Sequence, residues 1–198
     1  KVKNDLKKNL LKKINNQYFY SDGNKENLRF ALEVTKILNL KKESVFKTLK
    51  KFKGLEFRQQ IIFESRKLTI INDSKATSFS SSVSLLKSLT NVYWIVGGEA
   101  TKRDKLLLSK KHCKNFKAYI IGSDKNFFIN KVKKLMKYES FNDLKSLINK
   151  MFFEIKHDKT ISHKTILFSP SAASFDNFKN FEQRGKYFNY LIKKYINA

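Results

Sequence analysis

Residues 92–98 read VYWIVGG, a run of branched and aromatic residues that ends in two glycines. An apolar run without polar alternation suits a strand covered on both faces, the usual state of strands in a parallel sheet. The same pattern recurs at 118–121 (AYII, then Gly122) and at 165–168 (TILF, then Ser169-Pro170). Segments of helical character are expected around these strands, at 80–89, 106–113, 126–136, 143–155 and from about 177 to 196. Short apolar strands alternating with helices specify an α/β sheet with parallel crossovers. Two further β-rich runs, 59–63 and 67–71, flank Glu64-Ser65-Arg66 and read as a hairpin, which makes the sheet mixed. Tyr138–Glu139 reads as a short edge strand.

The first fifty residues follow a different period. Residues 1–16 place Leu6, Leu10, Leu11 and Ile14 on one helical face. A basic amphipathic helix can lie on a membrane, but the segment reads better as one element of a larger domain. Residues 18–20 (YFY) are a strand candidate. Ser21-Asp22-Gly23-Asn24 supplies turn and N-cap chemistry for a helix over about 25–40, and a second helix over 43–52 stops at Gly54.

Composition narrows the function classes. The 198 residues carry 42 Lys+Arg against 17 Asp+Glu, a formal net charge of +25. Only five of those cations are Arg and 37 are Lys. Base and phosphate readers favour the planar Arg fork, and here Lys rises together with Asn, Ile and Phe, so a dedicated nucleic-acid reader is not expected. At 41% hydrophobic and 14% aromatic the chain has enough apolar mass for a core. A single cysteine, Cys113, excludes a disulfide framework and fits a reducing compartment. The three His have no metal-ligand spacing, and no apolar run approaches the roughly 20 residues that span a bilayer. The chain opens at Lys1 with neither an initiator Met nor a signal segment, as an excerpt of a longer protein would.

Ligands of open α/β sheets bind beyond the carboxyl ends of the strands. Three such ends carry polar residues: 72–77, 97–102 and 169–176. Together they offer Lys75 and Lys102, the hydroxyls of Thr77 and Ser174, and free N–H groups at helix starts. That set suits a small dianion.

INDSKATS (71–78) followed by SPSAASFDNFKNFEQRG (169–185) resembles the C-terminal domain of the Mur ligases that add D-glutamate to UDP-N-acetylmuramoyl-L-alanine. The pattern there is NDSKAT, then Gly-Gly and a Lys, then SPACASFDxFxxFexRG. Gly54, Leu55 and Arg58 fit a G-L-x-H-R segment, and Asn24 and Asn27 fit an H-N-x-x-N helix start. The resemblance covers about residues 18–195. It implies a Rossmann-like, mostly parallel mixed sheet flanked by helices (53–198), preceded by the helical tail of a central ATPase domain (1–52). It implies an ATP- and Mg²⁺-dependent amide-forming ligase of peptidoglycan precursor synthesis, working through an acyl phosphate. Its partners would be small molecules (D-glutamate, the UDP-linked acceptor and ATP), with no nucleic acid and no membrane. A monomer in the bacterial cytoplasm is expected.

Residue by residue, the resemblance makes Asn24 and Asn27 adenine-side contacts, with Arg58 on phosphate and Asp73 on ribose. Lys75, Thr77, Lys102, Ser174, Phe175 and Phe181 would form the D-glutamate site. Departures are specific. Gly23 and Phe57 stand where His is usual, Ala172 stands for Cys, and the Lys expected after Gly97-Gly98 falls at Thr101, one residue before Lys102. No GxxxxGK[ST] loop occurs in the 198 residues, so the metal ligands and ATP-cleaving residues would lie upstream and this stretch would not turn over alone. The alternatives are a catalytically silent binding module and another Mur or folylpolyglutamate-type amino-acid ligase.

Overall fold

In the computed structural model, residues 8–158, 160 and 162–196 are described, the side chains of residues 8 and 9 excepted. Leu6, placed above on the first apolar face, lies outside them. The chain divides into two units, Lys1–Gly54 and Leu55–Ala198.

The first unit is helical: α1 (Lys8–Ile14), a short 3-10 helix (Gln17–Tyr20), α2 (Asp22–Ile37) and α3 (Lys42–Lys51). Ile14, Phe19 and Leu28 are buried, with Leu10, Leu32, Phe46 and Phe52 packed around them. The strand expected at 18–20 is absent. The Asn16 carboxamide donates to the carbonyls of Leu49 and Phe52 at 2.8 and 2.7 Å, and its oxygen accepts from the Tyr18 N–H. That cap winds the three aromatics into a 3-10 turn, where Tyr18 and Phe19 meet Phe52 instead of a neighbouring strand. Ser21 caps α2 as its sequence suggests, accepting from the Asn24 N–H.

The second unit is a six-stranded sheet in the order β1-β2-β6-β3-β4-β5. Its strands are β1 (Gln60–Glu64), β2 (Leu68–Asn72), β3 (Val92–Gly97), β4 (Lys117–Ile121), β5 (Lys137–Ser140) and β6 (Lys164–Phe168). Only β1 runs antiparallel, as one arm of the hairpin with β2, and every other neighbouring pair is parallel. Four helices accompany it: α4 (Phe79–Ser88), α5 (Lys125–Val132), α6 (Leu144–His157) and α7 (Phe181–Ile196).

Alternation along each strand divides the core into two layers. Ile71, Trp94, Val96, Ala118, Ile120 and Leu167 pack with Phe79 and Leu86 of α4 and Phe128 of α5. Their neighbours Ile70, Ile95, Tyr119, Ile121, Ile166 and Phe168 pack with Leu147 and Met151 of α6 and Phe188 and Ile192 of α7. Both faces are therefore covered, which is why the strands read as unbroken apolar runs. Each large apolar side chain so buried contributes roughly 1.5–3 kcal/mol.

Two expectations are corrected. Residues 106–113 form no helix. Leu106 and Leu108 pack on the core while Leu107 is exposed, an extended, period-two pattern, and the backbone turns only where Ser109 accepts from the N–H groups of His112 and Cys113. The last helix begins at Phe181, four residues later than expected. Residues 174–180 are spent on turns, in which the Ser174 carbonyl accepts from Asn177 and Phe178 and the Asn180 side chain caps Gln183.

Candidate functional site

The carboxyl ends of β2, β6 and β3 are adjacent, with Asn72 beside Phe168 and Phe168 beside Ile95. The three polar segments singled out above thus leave the sheet side by side. Main-chain bonds fasten them together. The Asp73 N–H donates to the Phe168 carbonyl at 2.7 Å, the Gly97 N–H to Pro170 at 2.8 Å, and Glu99 and Ala173 exchange bonds of 3.2 and 3.0 Å. This proximity fixes the glycines. A Cβ on Gly98 would lie 2.6 Å from the Ala173 oxygen, and one on Gly122 would lie 2.4 Å from Gly98. Both have positive φ, +140° and +92°, a region open to glycine.

Arg184, on the first turns of α7, holds these loops from beneath. It is 2% exposed. Its Nε donates to Ser74 Oγ at 3.1 Å, and its two terminal nitrogens donate to the carbonyls of Ser74, Ala172 and Ala173 at 2.7, 3.0 and 3.1 Å. One planar fork therefore sets the segment after β2 against the segment after β6. Burial draws its pKa down to about 10, against the opposing charge of Asp176. Gly185, next in sequence, makes room for a ring: a Cβ there would lie 2.3 Å from Phe57.

Asp73 is the acidic centre of the cluster. Oδ1 accepts from the Gln59 N–H at 3.0 Å and Oδ2 from the Ser169 hydroxyl at 2.7 Å. Ser169 continues to Ser82 at 2.6 Å and Ser82 to Ser171 at 2.7 Å, all buried. Burial pushes the Asp73 carboxyl up to about 7, opposed by the Ser169 and Gln59 bonds and by the charge of Arg58. Two further carboxylates brace the loops from the side. Asp124 accepts from the Ala100 N–H at 2.8 Å, and Asp176 from the Ser123 N–H at 3.1 Å.

Lys75 and Phe181 meet directly, with Nζ 3.7 Å from the ring centroid. The Lys75 N–H donates to the Phe57 carbonyl at 3.0 Å, and the Phe57 ring meets Phe181 edge-on at 6.5 Å. Ser174 is buried among the loops, while Thr77, Lys102 and Arg58 are exposed on them. Phe175 is 71% exposed and covers no core. Asn24 and Asn27 belong to the first unit. The Asn24 carboxamide donates to the Tyr18 carbonyl at 2.8 Å and Asn27 is exposed.

The cluster thus sets exposed Thr77 and Lys102 and half-buried Lys75 on a base held together by Arg184 and Asp73. Among the described residues, no group of three or more His, Cys, Asp or Glu could hold a metal ion. Sequence reasoning missed Arg184, Ser82 and Ser169 as its organisers. The FEQRG run that contains Arg184 was visible, but only the fold shows its guanidinium turned inward.

No protein-family model matches the chain. Curated relatives do. The UDP-N-acetylmuramoylalanine–D-glutamate ligase of Francisella tularensis subsp. tularensis is 34% identical over 177 residues, covering 87% of this chain and 41% of the relative. Those of subsp. novicida and subsp. mediasiatica match over the same span at 34% and 35%. The chain therefore spans about two-fifths of the length of these relatives. Among solved structures, the UDP-N-acetylmuramate–alanine ligase of Thermotoga maritima shares the fold with a TM-score of 0.54 at 14% identity, over 89% of this chain and 38% of that one. Sequence and fold agree: over most of its length the chain is similar to ligases named for adding D-glutamate, and it shares its fold with a solved Mur ligase.

Proposed function

We propose that this chain supplies the D-glutamate side of an ATP-dependent ligase that joins D-glutamate to UDP-N-acetylmuramoyl-L-alanine. The observation that carries the reading is the convergence of NDSKATS, the Gly-Gly loop and SPSAASFD on the adjacent ends of β2, β3 and β6. The names of the relatives support D-glutamate as the amino acid in this reading.

In this reading the amino acid is held by charge and by hydroxyls. Lys75, steadied over Phe181, faces one carboxylate, and Lys102, exposed beyond the Gly-Gly pair, reaches toward the acyl carboxylate. Thr77 and Ser174 donate hydroxyl hydrogens to the side-chain carboxylate. Fixing two reactants in one geometry turns a bimolecular step into an effectively unimolecular one. The amine of D-glutamate then attacks an acyl carbon already activated as its phosphate, and phosphate leaves.

The nucleotide supplies that phosphoryl group. The described residues fit it poorly by themselves: both Asp73 oxygens are engaged within the loops, no phosphate-cradling GxxxxGK[ST] loop is present, and no metal-ligand cluster exists among them. Arg58 and Asn27 remain as exposed nucleotide-side groups. This chain therefore binds and positions, while activation belongs to another part of the ligase.

The coding frame upstream of Lys1 tests this. A frame that continues into a GxxxxGK[ST] loop, and whose product releases phosphate only when D-glutamate and the UDP-linked acceptor are both present, supports the reading. A product that releases phosphate with another amino acid and ignores D-glutamate contradicts it.

A further inference from the structure

A second feature lies at the opposite end of the sheet, where β4 and β5 begin. A groove of about 1110 Å³ runs between the turns of residues 110–114, the start of β4, the end of α5 and the start of β5. Seven of its eleven lining residues are lysines and none is acidic. The whole chain has 37 lysines in 198 residues, so this surface is enriched several-fold over a composition already rich in Lys. Lys117 is paired with Glu154 at 2.7 Å and Glu139 at 3.0 Å. The other six, Lys110, Lys111, Lys114, Lys133, Lys134 and Lys137, form no ion pair among the described residues. Between them the floor is apolar, with Cys113, Leu135 and Met136.

Six unneutralised ammonium groups around one concavity repel one another, and an anion that spans several of them relieves that repulsion. A single small anion would be dwarfed by the groove. Lysines are hydrated point charges on flexible stems, so they attract an anion without the bidentate geometry by which Arg reads a base or a single phosphate. A polypeptide would also have to satisfy its own backbone N–H and C=O groups against an apolar floor. A chain of phosphates carries no such donors. Tyr138 is the one aromatic residue of the lining, too few stacking faces for a run of bases. We infer that this groove binds inorganic polyphosphate, by charge alone.

The test uses the intact chain with three fluorescent probes: polyphosphate, a thymidine oligonucleotide of about 20 residues, and poly-glutamate of matched charge, each titrated across salt. Two triple variants are compared. One removes groove lysines that are exposed (Lys133→Ala, Lys134→Ala, Lys137→Ala). The other removes as much charge from exposed positions of α3 (Lys42→Ala, Lys50→Ala, Lys51→Ala). The expected result is at least tenfold weaker polyphosphate binding for the groove triple, with the slope of log K against log salt reduced by about two. The α3 triple should stay within about twofold of the parent, and unchanged circular dichroism shows that both remain folded. Equal losses in the two triples, no loss in the groove triple, or no polyphosphate binding by the parent at about 50 mM salt overturns the inference. So does poly-glutamate binding as tightly with the same groove dependence. An oligonucleotide that binds as tightly as polyphosphate, with the same groove dependence, overturns polyphosphate as the occupant.

Discussion

Replacing Arg184 by Met keeps an apolar stem of similar length and removes the guanidinium. Four bonds go at once, leaving the carbonyls of Ser74 and Ala172 without their donor, while Ala173 keeps the Glu99 N–H and Ser74 Oγ keeps its bond to the Phe181 carbonyl. A buried acceptor left unsatisfied costs about 1–3 kcal/mol, but a guanidinium that is 2% exposed has itself been stripped of water, and its removal returns part of that cost. The net expectation is a loss of about 3–4 kcal/mol. For a domain of this size that lowers Tm by about 6–15 °C. The chain contains one Trp, and Trp94 is fully buried with its indole N–H on the Ser169 carbonyl at 2.8 Å. Its fluorescence during urea unfolding therefore reports on this unit and on these loops. Arg184→Lys, which can keep one or two of the bonds, should fall between. A loss under about 1 kcal/mol for Arg184→Met, or Lys no better than Met, refutes the view that the fork organises the site.

Asp73 gives a pH signature. Its carboxyl is raised from 3.8 to about 7 by burial, so between those values the folded state keeps a proton that the unfolded state has released. Its contribution falls as pH rises through that window, by about 4 kcal/mol in all, is lost above it and is intact below it. Asp73→Asn should remove this dependence and match or exceed the parent at pH 8, and urea melts from pH 4 to 8 that instead show the parent gaining on the variant contradict the assignment. Gly185→Ala places a methyl carbon 2.3 Å from the Phe57 ring and should cost about 1–3 kcal/mol by overpacking, with Phe57→Leu in the same chain recovering part of it. Equal losses with and without Phe57→Leu would show that the ring is not the obstacle. Lys75→Met should weaken D-glutamate binding at least tenfold while moving the urea midpoint little, since Lys75 is half-buried and its side chain rests on Phe181; unchanged D-glutamate affinity removes Lys75 from the site.

Much of this fold is legible in one dimension for a physical reason. Strands covered on both faces must be apolar throughout, so VYWIV and TILF announce themselves, and the Gly and Ser residues after them mark where the chain leaves the sheet. Local pattern misleads where a distant partner decides. Residues 18–20 have strand-forming side chains, yet Asn16 and Phe52 bend them into a 3-10 turn. Leu106–Leu107–Leu108 could serve a helix, but core packing takes alternate leucines and leaves an extended segment. The outer side chains of the candidate site, half-buried Lys75 and exposed Thr77 and Lys102, were nameable from sequence as candidates because ligands gather beyond strand ends of this kind. Its buried frame was not. Arginine is rarely buried, and nothing in the order of residues says that Arg184 turns inward to meet two loops more than a hundred and about a dozen positions away, at separations of 110 and 12.

The most direct measurement is an amide-resolved NMR titration of the chain with D-glutamate and, separately, L-glutamate, carried to concentrations that reveal weak binding. The account predicts shifts with D-glutamate that cluster at residues 73–77, 98–102 and 171–181, with little response to L-glutamate and loss of the response in Lys75→Met. Shifts scattered over the lysine-rich surface, or the same for both enantiomers, would contradict it.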